Sequence, residues 1–281
     1  MHEKNPKLEK AFTLALQNRK NNFEAAENLY KEILKKNPNN FQSNFFLGIL
    51  SAQIKKFNVA KQLLSKASEV DPDNVDAHNN LGNVLKELEE YHKAKDSFQK
   101  AILIQPDFAL AHNNLGTVLQ SLGNYQEAIL SYKKAIDIQP NFAEAHSNLG
   151  AAQRKLGERE KAIMSYQKAI EIQPNNADTH YNLGIAFKEL GEHQKSIICN
   201  EKAISLKPNY TRAYSNMLLT LLHLEKLDPK YYLSKTKEYR SSLKTASDDL
   251  LLKYQFDDKP KKLKIGFVSG DLDNIRLVSF C

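Results

Sequence analysis

Ala111-His112-Asn113-Asn114-Leu115-Gly116 stands near the middle of the chain, and close variants recur on either side of it. Ala77-His78-Asn79-Asn80-Leu81-Gly82 comes before; Ala145-His146-Ser147-Asn148-Leu149-Gly150 and Thr179-His180-Tyr181-Asn182-Leu183-Gly184 come after, each 34 residues from the last. The prolines keep the same beat at Pro38, Pro72, Pro106, Pro140, Pro174 and Pro208. A fixed period of this length marks a stacked-repeat protein, in which each unit buries its apolar face on its neighbours.

Each repeat is numbered here from place 1 to place 34 with proline at place 32, so that repeats begin at Lys7, Phe41, Val75, Ala109, Ala143 and Ala177. Places 3, 7, 10, 11 and 14 are mostly small or apolar, as in Ala111, Leu115, Val118, Leu119 and Leu122. At helical spacing they form one stripe, which predicts an amphipathic first helix. Place 8 is Gly48, Gly82, Gly116, Gly150 and Gly184. Glycine inside a helix costs about 1 kcal/mol against alanine, so its recurrence predicts a second helix crossing too close for a side chain. That helix follows a turn at Gly123, Gly157 and Gly191, where glycine ends a helix readily. Its places 20 and 27 are small (Ala128 and Ala135, for example), and place 24 is often aromatic (Tyr30, Phe98, Tyr132, Tyr166).

Leu-Gly at places 7 and 8, alanine at 20 and 27, an aromatic at 24 and proline at 32 resemble the tetratricopeptide repeat. The resemblance covers residues 7–210 and implies antiparallel helix pairs wound into a right-handed superhelical solenoid, whose first helices line a concave groove. The expected fold class is therefore all-α over six repeats, after a short leader at residues 1–6. Thr13-Leu14 stands where Leu-Gly belongs, so the first repeat reads as an N-terminal cap. A seventh first helix begins at Thr211, and with a polar helix after Pro229 it makes a closing segment over residues 211–245. Residues 246–262 read as a linker.

The chain is 41% hydrophobic and 26% charged, within the range of folded proteins. Its formal charge of +7 is spread along the sequence among acidic residues; with no basic stripe interleaved with aromatics, no nucleic-acid partner is expected. The two cysteines, Cys199 and Cys281, make no disulfide framework. No secretory h-region opens the chain, and the longest apolar-rich stretch, residues 217–224, falls far short of the roughly 20 that span a bilayer. A cytoplasmic location without membrane contact is expected.

His78, His112, His146 and His180 share place 4. Neighbouring helices pack about 8–10 Å apart, too far for successive imidazoles to hold one metal ion, so packing is the expected role and no metal site or cofactor is assigned. Place 6 is more telling: Asn80, Asn114, Asn148, Asn182 and, in the seventh first helix, Asn216. A half-buried amide needs partners. Either each asparagine ties neighbouring first helices together, or the five form a ladder that hydrogen-bonds the backbone of an extended peptide whatever its sequence. No Ser/His/Asp set, P-loop or Cys-x-x-Cys pattern is present in the repeats. The carboxylate-clamp type of repeat domain is disfavoured as well, because its lysine at place 5 is replaced here by Phe45, Asn79, Asn113, Ser147 and Tyr181.

From Leu263 the row reads Leu263-Lys264-Ile265-Gly266-Phe267-Val268-Ser269-Gly270-Asp271, an alternating strand and its turn. Behind repeats of this kind it resembles the opening of the catalytic region in the O-linked N-acetylglucosamine transferase family. The resemblance implies a parent enzyme that transfers GlcNAc from UDP-GlcNAc to Ser or Thr, with Asn80, Asn114, Asn148, Asn182 and Asn216 feeding it extended segments of substrate proteins. Residues 263–281 are then the start of an α/β domain whose sugar-nucleotide lobes are not in this chain, and no transferase activity is expected of it alone. In place of the family's His-Pro after that strand stand Ile275 and Arg276. One coding of the last seven residues reads His-Pro when a single base is restored, so this end is expected to be a shifted frame. The other reading is a general protein-interaction scaffold unrelated to glycosylation.

Overall fold

The computed structural model describes residues 6, 7, 10, 13, 20–224 and 226–244, and every regular element among them is helical. The expected linker (246–262), the expected strand region (263–281) and most of the opening helix of the first repeat lie outside the described residues. The helices are α1 (Lys20–Lys36), α2 (Phe41–Gln53), α3 (Phe57–Val70), α4 (Val75–Glu87), α5 (Tyr91–Ile104), α6 (Ala109–Ser121), α7 (Tyr125–Ile138), α8 (Ala143–Lys155), α9 (Arg159–Ile172), α10 (Ala177–Glu189), α11 (His193–Leu206), α12 (Thr211–Leu221) and α13 (Pro229–Lys244).

From α2 to α12 the even-numbered helices are first helices of repeats and the odd-numbered ones second helices. Asn40, Asn74 and Asn176 cap α2, α4 and α10, each side-chain oxygen accepting from the backbone N–H three residues on. The tight turn between the helices of a repeat requires a left-handed residue. Gly123, Gly157 and Gly191 supply it with φ of 81°, 78° and 85°, and Lys55 and Glu89 adopt it at 60° and 59° without that freedom.

The recurring glycine sits where the two helices of a repeat cross. A Cβ on Gly116 would lie 2.6 Å from the Tyr132 ring, and one on Gly82 would lie 2.7 Å from Phe98. Small residues at places 20 and 27 let the helices meet, so Ala94, Ala101, Ala128, Ala135 and Ala162 are sealed from solvent. The apolar core runs from α3 to α8 as one cluster and continues in further clusters toward both ends.

Each helix packs on its sequence neighbours, and each first helix from α2 to α10 also touches the next first helix; second helices do not touch one another. The first helices therefore converge on the inner, shorter face of the stack and the second helices splay on the outer face. At the far end α13 packs on α12, with the Tyr214 and Tyr239 rings 5.7 Å apart and a hydrogen bond of 3.1 Å between Ser215 Oγ and Tyr239 Oη.

Candidate functional site

The inner face is built from places 2, 5, 6 and 9 of α2, α4, α6, α8, α10 and α12. The sequence brings an amide to place 6 of each of these helices except α2, and what each amide does depends on the residue at place 5 one repeat earlier. Asn114 Nδ2 donates to Asn79 Oδ1 at 3.1 Å, and Asn148 Nδ2 donates to Asn113 Oδ1 at 3.0 Å. These two bonds stitch α4 to α6 and α6 to α8. Where place 5 is not asparagine, the stitch is absent.

Before Asn80 stands Phe45, and Asn80 Nδ2 turns back to the Asp76 carbonyl of its own helix at 2.8 Å. Before Asn182 stands Ser147, whose Oγ accepts from Thr179 Oγ1 at 3.3 Å, and the Asn182 side chain makes no hydrogen bond among the described residues. Before Asn216 stands Tyr181. Asn216 Nδ2 reaches Asn200 Oδ1 on α11 at 3.3 Å, and its own oxygen accepts from Lys188 Nζ at 3.2 Å. Asn80, Asn148 and Asn182 are half-buried, whereas Asn114 and Asn216 are each 8% exposed.

An amide carries two N–H donors and a carbonyl with two lone pairs. Asn80, Asn114 and Asn148 each retain one donor and the carbonyl, Asn182 retains its whole capacity, and Asn216, engaged at both nitrogen and oxygen, retains one donor and one lone pair. The five thus share a helix position but not a chemical state. Spacing alone did not reveal this, because the controlling signal lies at place 5 of the preceding repeat.

Charged residues of the same face are largely paired. Asn113 Nδ2 donates to Glu144 Oε1 at 3.2 Å, Arg154 Nη1 lies 2.6 Å from Glu189 Oε1, and Tyr210 Oη donates to Asp178. In the second repeat places 1, 5, 6 and 9 become Phe41, Phe45, Phe46 and Ile49, with ring centroids 5.5 Å apart for Phe41 and Phe45 and 5.3 Å for Phe45 and Phe46. The inner face therefore changes from aromatic near α2 to amide-rich along α4, α6 and α8. The break in the pattern at Phe45-Phe46 was the signal for this aromatic end.

The place-4 histidines have a narrower role than general packing. Nε2 of His78, His112, His146 and His180 lies 2.8–3.0 Å from the carbonyl of Pro72, Pro106, Pro140 and Pro174 respectively. Asn44 Nδ2 makes the same bond to the Pro38 carbonyl at 2.9 Å. Place 4 thus pins the turn between repeats, and Nε2 carries the proton that is donated. Among the described residues no group of three or more His, Cys, Asp or Glu is placed to hold a metal ion, and no helix is long and apolar enough to cross a membrane. Burial pushes the Cys199 thiol up to about 11.

Tetratricopeptide-repeat family models match residues 75–108, 97–129, 119–157, 152–191 and 177–210, and those over 75–108 and 177–210 coincide with the repeats beginning at Val75 and Ala177. The chain resembles the crystal structure of MamA at 30% identity and a TM-score of 0.55, covering 63% of this chain and 99% of that one. It resembles YrrB, described as a tetratricopeptide-repeat protein with an unusual peptide-binding site, at 25% identity and 0.53, covering 66% and 95%. PilF of Pseudomonas aeruginosa shares the fold at 19% identity and 0.63, covering 74% and 92%. No curated protein matches the chain. The chain belongs to the tetratricopeptide-repeat family, and the repeats make it a scaffold for protein–protein interaction.

Proposed function

We propose that the chain binds extended peptide segments of partner proteins along its inner face, with Asn80, Asn114, Asn148 and Asn182 as backbone-reading amides. Asn216, already paired at both ends, closes the row. The observation that carries this reading is Asn182, half-buried on that face with its amide unspent among the described residues. Held on this face with no protein partner among the described residues, the amide keeps its donors and acceptor available, and an arriving peptide backbone can take them up. YrrB, of similar fold, is a precedent for peptide binding by this architecture. The finer reading is that this is the substrate-recognition part of a protein O-GlcNAc transferase. Residues 263–272 support it through their likeness to the family's opening strand.

The second reading is a scaffold unrelated to glycosylation, in which the amides serve stability. The Asn114–Asn79 and Asn148–Asn113 stitches favour it. A panel of unrelated, labelled 15-residue peptides distinguishes the two. Asn182→Ala should weaken binding of all of them at least threefold while leaving the melting temperature in place. Asn114→Ala should in addition lower stability by about 1 kcal/mol, the usual worth of a buried hydrogen bond. Affinities unchanged by both substitutions would leave the amides a purely structural role.

A further inference from the structure

The outer face carries a second feature, independent of the peptide groove. The four most exposed large apolar side chains are Leu103, Met164, Leu130 and Ile198, at 81%, 69%, 67% and 56%. They are not scattered. Leu130, Met164 and Ile198 all occupy place 22 of consecutive second helices, α7, α9 and α11. Leu103 is at place 29 of α5, and a hollow of about 330 Å³ shows how places 29 and 22 meet. It opens between α7 and α9, and Asp137 at place 29 and Met164 at place 22 line it together, with Ile136 and Leu149 as its apolar floor and Lys133 and Lys168 among its walls. By the repeat, Leu103 and Leu130 flank the preceding gap. A single exposed leucine needs no explanation, but an aligned row of apolar side chains beside hollows is the signature of an interface.

Charge beside the row is divided along the helices, with lysines predominating on the side toward their C-terminal ends. One turn past each place-22 residue is a lysine, Lys134, Lys168 or Lys202, and Lys100 stands one turn before Leu103. Lys168 is paired with Glu171 on its own helix. Lys100, Lys133, Lys134 and Lys202 make no ion pair among the described residues, and Asp137 is the unpaired carboxylate at that end of the helices. Glu127 and Glu160 stand one turn before Leu130 and Met164, in the first turns of α7 and α9, so the basic side is the one toward the helix C-termini.

We propose that α7, α9 and α11 dock an acidic amphipathic helix of a partner protein across their outer face. Neighbouring second helices do not touch one another, so a partner can lie across them and over the hollows between. A helix brings its seventh residue back to one side after about 10.5 Å. Apolar residues at every seventh position of the partner therefore make a stripe that runs across Leu130, Met164 and Ile198, with one entering the hollow between α7 and α9. Glutamates along one flank of that helix meet the unpaired lysines.

The probe is a labelled synthetic helix of 24 residues with leucine at every seventh position and glutamate along one flank, followed by fluorescence anisotropy with the full chain. Binding is expected that weakens as salt is raised, falls at least tenfold in Leu130→Glu/Met164→Glu, falls at least threefold in Lys134→Glu, and is unchanged in Asn182→Ala. The substituted side chains are solvent-exposed, and circular dichroism checks that the melting temperature is kept. Three outcomes overturn the proposal: no binding, equal binding of a probe with lysine in place of glutamate, or binding insensitive to the double substitution. A dimer in sedimentation that Leu130→Glu/Met164→Glu dissolves would overturn it too, since the row's occupant would then be a second copy of the chain.

Discussion

Gly116 and Tyr132 meet where α6 and α7 cross, and a Cβ added to Gly116 would stand 2.6 Å from Cε1 of the Tyr132 ring. Tyr132 is fully buried against the core and cannot swing away. Gly116→Ala gains about 1 kcal/mol of helix propensity, while overpacking of a filled core costs typically 1–3 kcal/mol. The expected result is a net loss of about 1 kcal/mol in chemical denaturation. Adding Tyr132→Ala removes the ring, and in that background Gly116→Ala should cost nothing further; leucine would give no such relief, since a Cβ on Gly48 would lie 2.7 Å from Leu64. Additive effects of the two substitutions would mean that the glycine is there for another reason.

Glu89 occupies with φ 59° the turn position that glycine fills in the three later repeats with a comparable turn. A left-handed residue other than glycine costs about 1–2 kcal/mol. Glu89→Gly should therefore stabilise the chain by about 0.5 kcal/mol once the greater freedom of glycine in the unfolded chain is subtracted. Lys55→Gly should behave alike. A lower denaturation midpoint in both variants would contradict this.

The helical solenoid was legible because every repeat states the same pattern, so errors at one position are corrected by the others. The close approach at Gly116 could be read from the cost of a glycine inside a helix. The inner face was legible only in part. Place 6 reveals where an amide points, but its hydrogen bond is decided across the repeat boundary by Asn79, Asn113, Ser147 or Tyr181, and that coupling is absent from any single repeat. The histidines were read as packing for a similar reason: the Pro106 carbonyl that receives His112 belongs to the preceding repeat. The outer row was overlooked because Leu130 and Met164 fall outside the stripe that closes the core.

His112 and Asn44 are chemically different residues that do one task, donating to the carbonyl of the proline that ends the preceding repeat, at 2.9 Å in both cases. His112→Asn should keep that bond, whereas His112→Ala loses it. The alanine variant is expected to be less stable than the asparagine variant by about 1 kcal/mol, the net worth of such a bond. Urea denaturation of the two variants measures the difference. Equal midpoints would show that the imidazole acts by bulk alone.

Burial pushes the Tyr132 hydroxyl up to about 12, and its hydrogen bonds among the described residues are long ones to Thr117 and Gln120, at 3.5 and 3.4 Å. In the unfolded chain a tyrosine ionises near pH 10. Because the folded value is raised, the folded state keeps a proton that the unfolded state releases over this interval. The stability linked to Tyr132 is therefore intact below about pH 10 and lost progressively toward pH 12. Tyr30, also raised to about 12 by burial, acts in the same direction. Phenylalanine fits this position, as Phe98 shows against Gly82. Tyr132→Phe should leave neutral-pH stability within about 1 kcal/mol of the parent, the scale of a weak hydrogen bond, and should move alkaline unfolding to higher pH. Helical circular dichroism followed against phenolate absorbance tests this. In the parent, loss of helix should accompany ionisation of the last tyrosines, and the substitution should delay that loss. If both proteins lose helix at the same pH, the buried phenol is not what limits the fold in alkali.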